Sequence, residues 1–233
     1  MLAPWLLVSA CLVRLLSAQE PENPQRITES HESILPVVAN FTPVDVAVYY
    51  ETLCSDSRNF IIQQLLPSYL NGPQLLNVTL IPYGKAQTRL TPWGYVFTCQ
   101  HGPTECQGNK IHACAAVIVQ DKEQQLRFVE CMIRNDTVPE AAGQECASKL
   151  NITWRPILQC SRGLEGTGLL KRCGDATHSL DPSLTFVPTV TLNGSQGNQT
   201  AILNDFWREV CGIFPEPKPT ECTNGRESTD AMR

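Results

Sequence analysis

The chain has 233 residues, of which 42 % are hydrophobic and 18 % are charged, and its net charge at pH 7 is −5. This length is sufficient for one domain with a substantial core, and the composition is that of a globular chain rather than a disordered one. The acidic balance and the lack of any run of basic residues argue against a nucleic-acid partner.

The N-terminal segment is apolar and ends in small residues. We therefore predict that residues 1–18 are a secretory signal peptide, cleaved near Ala18. Arg14 interrupts this segment, which is also too short for a transmembrane helix, and no later segment is apolar and long enough to span a bilayer. Residues 19–40 are polar, so a flexible lead-in is expected before a domain at 41–222.

A strand–helix–strand unit is predicted at the start of this domain. Val44–Tyr50 is a short run of β-branched and aromatic residues, which is typical of a buried strand. Apolar residues between Ser55 and Leu70 recur at helical spacing, and Leu75–Tyr83 has the pattern of a second strand. Such a unit is expected to form a parallel crossover, with Cys54 where the helix begins.

The region from about 85 to 180 is longer than one crossover needs. Helices are expected at Ala113–Val119 and Gln124–Ile133, followed by short segments near Glu140–Leu150 and Arg155–Gln159. We interpret the region as a mostly helical insertion that disulfides hold in place.

A last strand and helix are predicted near the C-terminus. Thr189–Leu192 alternates in the manner of a strand, and Asn193-Gly194 is typical of a hairpin turn. Gln199–Val210 has a helical apolar face. The polar tail at 223–233 is expected to be disordered or processed.

Eleven cysteines are present, and Cys11 lies in the predicted signal peptide. In an oxidising compartment the others are expected to form disulfides, whose pairing the sequence does not determine. Zinc binding would also explain clustered cysteines, but the chain has no Cys-x-x-Cys pair, and we predict no metal site. The cysteines of the mature chain are Cys54, Cys99, Cys106, Cys114, Cys131, Cys146, Cys160, Cys173, Cys211 and Cys222.

The chain also has six Asn-x-Ser/Thr triplets, which are acceptor sites for N-glycosylation. Together with a signal peptide they favour a glycoprotein of the secretory or endolysosomal route. The predicted sites are Asn40, Asn77, Asn135, Asn151, Asn193 and Asn198.

The segment from 99 to 114 has the form CQHGxxECxxNxxxxC. This pattern resembles the signature of the gamma-interferon-inducible lysosomal thiol reductase (GILT) family, with every fixed position present. Those positions are Cys99, Gln100, His101, Gly102, Glu105, Cys106, Asn109 and Cys114. His101 and His112 are assigned no catalytic role, because structural histidines are the commoner case.

The order of elements, with a cysteine at the start of a helix and Val187-Pro188 before a late strand, resembles the thioredoxin fold. The resemblance implies an α/β fold with a helical insertion in a DsbA-like arrangement. It also implies that Pro188 is a cis-proline that faces Cys54 and shapes the substrate groove. The alternative is that Pro188 is an ordinary proline at the start of a strand.

Where the family has Cys-x-x-Cys, this chain has Cys54 and, three residues later, Ser57. A cysteine at a helix N-terminus is favoured as thiolate, which is the nucleophile in disulfide exchange, although the carboxylate of Asp56 opposes this. The Ser57 hydroxyl can donate a hydrogen bond to the thiolate, but it cannot resolve a mixed disulfide.

Two alternatives remain open for each of two cysteines. Cys54 is either the nucleophile or one half of a structural disulfide. Cys173 does not fit the family's cysteine pattern, and it either pairs with Cys54 or stays free.

Two functions follow from the resemblance. The first is a lysosomal or secreted reductase of protein disulfides that acts through Cys54, with a small external thiol for release and no other cofactor. The second is a binding protein that traps clients without net reduction. Family members are delivered through mannose-6-phosphate tags, so a mannose-6-phosphate receptor is a further expected partner, through the glycans.

Overall fold

The structure is a computed structural model that describes residues 41–134 and 138–223. The predicted signal peptide, the lead-in and residues 224–233 of the predicted tail lie outside this part of the chain, as do the predicted glycosylation sites Asn40 and Asn135. No helix in the described ranges is sufficiently long and apolar to cross a membrane.

Five strands and ten α-helices make up the described part of the chain. In chain order they are β1 (Val44–Tyr50), α1 (Ser55–Phe60), α2 (Leu66–Asn71), β2 (Leu76–Pro82), β3 (Gln87–Thr91), β4 (Gly94–Thr98), α3 (Pro103–Ile118), α4 (Lys122–Arg134), α5 (Pro139–Lys149), α6 (Trp154–Arg162), α7 (Leu164–His178), β5 (Thr189–Leu192), α8 (Gln199–Asn204), α9 (Phe206–Ile213) and α10 (Thr220–Thr223).

A three-stranded sheet with the order β2-β1-β5 lies at the centre of the fold. The parallel pairing predicted for β1 and β2 is confirmed, and it runs from Val44 opposite Leu76 to Tyr50 opposite Pro82. β5 is antiparallel to β1, with Thr189 opposite Tyr49. The fold is therefore α/β, with a mixed sheet.

The predicted helix after β1 is present, but its hydrogen-bonding pattern changes midway. A π-helical turn at Ile61–Leu65 joins α1 to α2. Phe60, Ile61 and Leu65 are buried there in the core that covers the sheet. The ring of Phe206 from α9 packs edge-on against Phe60, with 5.5 Å between the ring centroids.

The region from 85 to 180 differs from the prediction at its start and its end. It begins with the β3–β4 hairpin, which the sequence did not predict, because β3 and β4 mix polar and apolar residues on a largely exposed ribbon. α3 begins at Pro103, ten residues before the predicted start of a helix at Ala113. α7 was not predicted, since its three glycines within nine residues weaken a helical pattern.

The C-terminal predictions also need two corrections. Asn193 and Gly194 do form a turn with positive φ, closed by a bridge between Leu192 and Ser195, but a helix rather than a second strand follows. The single helix predicted at 199–210 is two helices, because Asp205 leaves the helical conformation and caps α9 by accepting a hydrogen bond from the Arg208 N–H.

Four disulfides connect eight of the cysteines: Cys99–Cys106, Cys114–Cys160, Cys131–Cys146 and Cys211–Cys222. Cys54 and Cys173 both have free thiols. The alternatives that placed Cys54 in a structural disulfide or paired it with Cys173 are therefore wrong. Six of the eight bonded cysteines are buried, and only Cys131 and Cys222 are partly exposed.

Candidate active site

Cys54 lies at the N-cap of α1, directly after the turn that follows β1. Its backbone is extended, so the side chain turns back over the first turn of the helix. The sulfur accepts a hydrogen bond from the Ser57 N–H at 3.5 Å and donates one to the Val187 carbonyl at 3.7 Å. The thiol is partly exposed, so it is open to solvent on one side.

The segment before β5 forms the other wall of this site. The Val187–Pro188 peptide bond is cis. The antiparallel pairing of β5 with β1 brings Val187 and Pro188 beside a cysteine that lies 133 residues earlier in the chain than Val187. An open groove begins at Asp56 and continues between α1 and this segment; the residues along it include Asn59, Gln63, Phe186, Pro188 and Leu203.

Ser57 is fully buried and does not act as the sequence suggested. Its hydroxyl accepts a hydrogen bond from the Glu51 N–H at 3.4 Å, whereas its backbone N–H is the group that contacts the Cys54 sulfur. The side chain therefore supports the preceding turn. Like any serine it has no sulfur with which to resolve a mixed disulfide.

The signature residues lie at the N-terminal end of α3, on the other side of the same turn. The Cys99–Cys106 disulfide closes the Gln100–Gly102 loop, and Gly102 occupies the N-cap with a φ of 87°. Cys114 instead bonds Cys160 within the core of the helical region. The three signature cysteines thus belong to two disulfides, and neither of these contains Cys54.

Polar groups of α3 form hydrogen bonds with Tyr50, at the end of β1, and with Thr52 in the turn that follows. The Asn109 Oδ1 accepts a hydrogen bond from the Thr52 N–H at 3.1 Å, and the Thr52 hydroxyl donates to the Glu105 carbonyl at 3.3 Å. The Tyr50 hydroxyl and His112 Nδ1 lie 3.0 Å apart. A Cβ at Gly108 would come within 2.6 Å of the Thr52 hydroxyl, so glycine permits this close approach.

Two buried carboxylates and a histidine meet beside the turn. His101 Nδ1 lies 2.5 Å from Glu105 Oε2 and 3.5 Å from Glu51 Oε2. Burial raises the pKa of Glu51, and the neighbouring Glu105 carboxylate raises it further, although the hydrogen bond from the Lys85 N–H opposes the shift. Sequence reasoning did not select Glu51. The signal available for it was an acidic residue directly after a buried strand.

Burial also sets the protonation of two groups behind the turn. It lowers the pKa of His112 to about 3, so this imidazole is neutral in the folded protein near neutral pH. It raises the pKa of the Cys173 thiol to about 11, so this cysteine remains protonated. Neither residue has the properties of a reactive group.

Four of the predicted glycosylation sites lie in the described residues, and all four are exposed. Asn77 and Asn193 also form hydrogen bonds with Asp45, at its carboxylate and its N–H respectively. The Asn198 side chain caps α8. Asn151 has a positive φ of 55° after α5. Their exposure is compatible with glycosylation, which stays a prediction.

Comparison with known proteins places this arrangement in a family. Residues 45–150 match the family model described as gamma interferon inducible lysosomal thiol reductase. The gamma-interferon-inducible lysosomal thiol reductase of Carassius auratus is 34% identical over 190 residues, which cover 80% of this chain and 74% of that protein. The protein of the same name from Mus musculus is 35% identical over 189 residues, with coverage of 80% and 74%. A gamma-interferon-inducible lysosomal thiol reductase-like protein of Anopheles gambiae is 35% identical over 193 residues, with coverage of 77% and 80%. The chain therefore belongs to the gamma-interferon-inducible lysosomal thiol reductase family.

Proposed function

We propose that this protein reduces disulfides of client proteins by thiol–disulfide exchange through one nucleophile, Cys54. The observation that carries the proposal is the position of this free, partly exposed thiol at a helix N-cap, beside a cis-proline and an open groove. Membership of a thiol reductase family supports the same chemistry.

We further propose a thioredoxin-like fold with the helical region in a DsbA-like arrangement. The parallel β1–helix–β2 unit and the antiparallel β5 after the Val187–Pro188 cis peptide support this assignment. In such a fold the groove beside Pro188 accepts an extended segment of the client, and the Val187 backbone lies next to the reacting sulfur.

The reaction requires two equivalents of an external thiol. The Cys54 thiolate attacks one sulfur of the client disulfide, so a new S–S bond joins Cys54 to the client while the client bond breaks and its other sulfur leaves and takes up a proton. A small thiol then attacks the Cys54 sulfur, which releases the second client thiol. A second small thiol regenerates Cys54 and leaves as the oxidised small disulfide.

The Cys54 sulfur, which begins this sequence, accepts a hydrogen bond from the Ser57 N–H at the N-terminus of α1. No internal thiol is suited to end it. Ser57 carries none, and Cys173, the other free cysteine of the described residues, is partly buried, which raises its pKa to about 11. Release of the client therefore depends on the external reductant.

The same observation supports a second candidate function. A mixed disulfide at Cys54 that no internal thiol resolves is long-lived whenever external thiol is scarce. The protein would then hold cysteine-bearing clients covalently, without net reduction. The two candidates share the nucleophile and differ in the fate of the adduct.

The names of the relatives from Carassius auratus and Mus musculus carry the word lysosomal. We propose that this chain works in the lysosome or after secretion, on disulfide-bonded proteins. A mannose-6-phosphate receptor that binds its N-glycans is the proposed carrier, since Asn77, Asn151, Asn193 and Asn198 are exposed.

The test is reduction of a quenched, disulfide-linked protein substrate with excess small thiol, at about pH 5 and about pH 7, because the thiolate is the attacking species. Wild type is expected to exceed Cys54→Ala, and Cys173→Ala, the matched control, is expected to retain full activity. Ser57→Cys should exceed wild type. Equal rates for wild type and Cys54→Ala would overturn the reductase proposal.

The fate of the covalent adducts distinguishes a protein that traps clients from one that reduces them. Covalent client adducts that require Cys54 and persist until thiol is added would support trapping, provided that only Ser57→Cys shows net reduction. Adducts that disappear as fast as free client thiol is formed would support the reductase.

A further inference from the structure

The cluster of Glu51, His101 and Glu105 takes no part in the disulfide exchange proposed above. Its three ligand-type atoms, one from each residue, all lie within 4.8 Å of one another. We infer that these residues form a binding site for a divalent transition-metal ion of the zinc class. The site is composed of nitrogen and oxygen donors, so it is separate from the cysteines.

Each carboxylate is held by one oxygen and directs the other into the cluster. Glu51 Oε1 accepts a hydrogen bond from the Lys85 N–H at 2.6 Å, and Glu105 Oε1 accepts one from the His101 N–H at 3.1 Å. Such outer contacts fix the orientation of metal ligands and tune the metal's affinity. A Cβ at Gly84 would lie 2.2 Å from Glu51 Cγ, so the chain also leaves room for this side chain.

The buried oxygen of Glu51 independently favours a role as a cation ligand. Glu51 is fully buried, and its Oε2 has no hydrogen-bond partner within residues 41–134 and 138–223. The 3.5 Å contact with His101 Nδ1 is an ion-pair distance without hydrogen-bond geometry. A buried ionised carboxylate is costly unless it is paired or coordinates a metal. Two carboxylates around one divalent ion with a neutral imidazole balance its charge.

The ligand atoms lie close enough for a small ion to be held after side-chain adjustment, since the Glu51 and Glu105 oxygens are within 4.8 Å of each other. Zinc binds nitrogen and oxygen at about 2.0–2.2 Å, which places neighbouring ligand atoms about 3–3.6 Å apart. The His101–Glu51 separation of 3.5 Å already fits, whereas the 2.5 Å contact between His101 and Glu105 must open by about 1 Å. His101 is 40% exposed, so its side chain has room to make this adjustment and solvent can complete the coordination.

The donor set favours zinc-class ions over calcium or magnesium. Calcium takes about 6–8 oxygen ligands, and imidazole is preferred by later transition metals.

A bound ion would also stabilise the turn before Cys54. The Glu51 carbonyl accepts a hydrogen bond from the Cys54 N–H at 3.4 Å. The ion would join the end of β1 to the first turn of α3 and so hold the turn that carries the nucleophile. A ligand that binds only the folded state raises its stability.

The probe is Co²⁺, whose absorption distinguishes sulfur from nitrogen and oxygen ligands. The full-length glycoprotein with Cys54→Ser and Cys173→Ser is titrated beside the natural chain. We expect one equivalent of Co²⁺ in both, with visible d–d bands, no sulfur-to-cobalt charge-transfer band, and displacement by Zn²⁺. Binding that needs the free thiols, or none at all, would overturn the inference.

The ligand variants make the test specific. His101→Ala is expected to weaken Co²⁺ binding at least about tenfold, the loss seen even for outer-sphere partners. His178→Ala, which removes another exposed histidine outside the cluster, is the matched control and should bind as wild type does. His101 is partly exposed, so its variant is expected to fold; metal-free melting temperatures check this. Unchanged affinity in a folded His101→Ala protein would contradict the inference.

Discussion

The turn before Cys54 has two sides with opposite chemistry. On the groove side, the Cys54 sulfur is partly exposed, and its hydrogen bonds are long contacts of 3.5 and 3.7 Å. On the helical side, the fully buried Asn109, His112 and Glu105 of α3 contact the segment Tyr50–Thr52. Each side has one free cysteine, since Cys173 lies on α7 behind the turn.

The difference shows how a free thiol is kept both accessible and in place. Buried hydrogen bonds fix the backbone on the helical side, so the sulfur on the groove side needs few contacts of its own. The four predictions that follow test this division of roles, from the largest expected effect to the smallest.

The first concerns the two thiols. Burial raises the pKa of the Cys173 thiol from 9.0 to about 11, so its thiolate fraction at pH 7 is about 100-fold below that of an ordinary thiol, and its partial burial slows the reaction further. Iodoacetamide is therefore expected to label Cys54 at least a hundredfold faster than Cys173, as measured by peptide mass spectrometry over time. Comparable labelling rates in the folded protein would remove the distinction between the two sides.

The second concerns the space left for Glu51. Gly84 has a φ of 60°, and a Cβ there would collide with the Glu51 side chain. Gly84→Ala is expected to lower the free energy of unfolding by about 2–5 kcal/mol, from the left-handed backbone and from over-packing together. Gly194→Ala, at a φ of 81° with no atom within 4 Å, should cost only the backbone part of about 1–2 kcal/mol. Denaturant unfolding compares them, and equal losses would show that Glu51 can move aside freely.

The third prediction concerns the loss of stability in acid that His112 causes. The folded-state pKa of His112, about 3, lies below the unfolded-state value of about 6.5. Between these values the unfolded chain binds a proton that the folded chain does not, so stability is lost as the pH falls below about 6.5. The loss is about 1.6 kcal/mol between pH 6.5 and pH 5, because the slope rises towards about 1.36 kcal/mol per pH unit as the unfolded chain becomes fully protonated.

The change His112→Gln keeps a polar partner for the Tyr50 hydroxyl but removes the titration. Its free energy of unfolding should therefore fall less steeply between pH 6.5 and pH 5 than that of wild type, whereas His178→Gln, at an exposed site, should keep the wild-type slope. Parallel slopes for wild type and His112→Gln would mean that this imidazole is not buried in its neutral form.

The fourth concerns Asn109. Asn109→Ala leaves the Thr52 N–H without its partner, which costs about 1–3 kcal/mol for a buried donor. The Asn109 Nδ2 is itself buried without a partner in the described residues, and its removal offsets part of that cost. We expect a net loss of about 1 kcal/mol by thermal unfolding. Asn59→Ala, at an exposed site on α1, should change the free energy of unfolding by less than about 0.5 kcal/mol. Equal losses in the two variants would contradict the role of Asn109 in holding the turn at Thr52.

The sequence predicted the central elements because their patterns are local. Val44–Tyr50 and Leu76–Pro82 are apolar runs of strand length, and the helix after Cys54 has regular spacing. The start of α3 was missed because Gly108 and Asn109 have low helix propensity, and both residues lie against Thr52 in the turn. Local propensity fails where side chains serve a distant partner.

The site shows the same limit. Cys54 and Pro188 were selected through a family resemblance, and the contact of Cys54 with Val187, the residue before Pro188, depends on the pairing of β5 with β1. The hydrogen bonds from α3 join residues separated by 53 to 62 positions, so no periodicity reveals them. Glu51 became visible only when the structure placed it beside His101 and Glu105.

Burial protects most of the sulfurs in the four disulfides from reduction by a small thiol. The proposed reaction uses an excess of small thiol, a reagent that also reduces structural disulfides. Both sulfurs of Cys99–Cys106 and of Cys114–Cys160 belong to buried residues, and the remaining two bonds each have one buried partner. The mixed disulfide proposed at Cys54 would form at a partly exposed sulfur. A small thiol would therefore reach that bond more readily than Cys99–Cys106 or Cys114–Cys160.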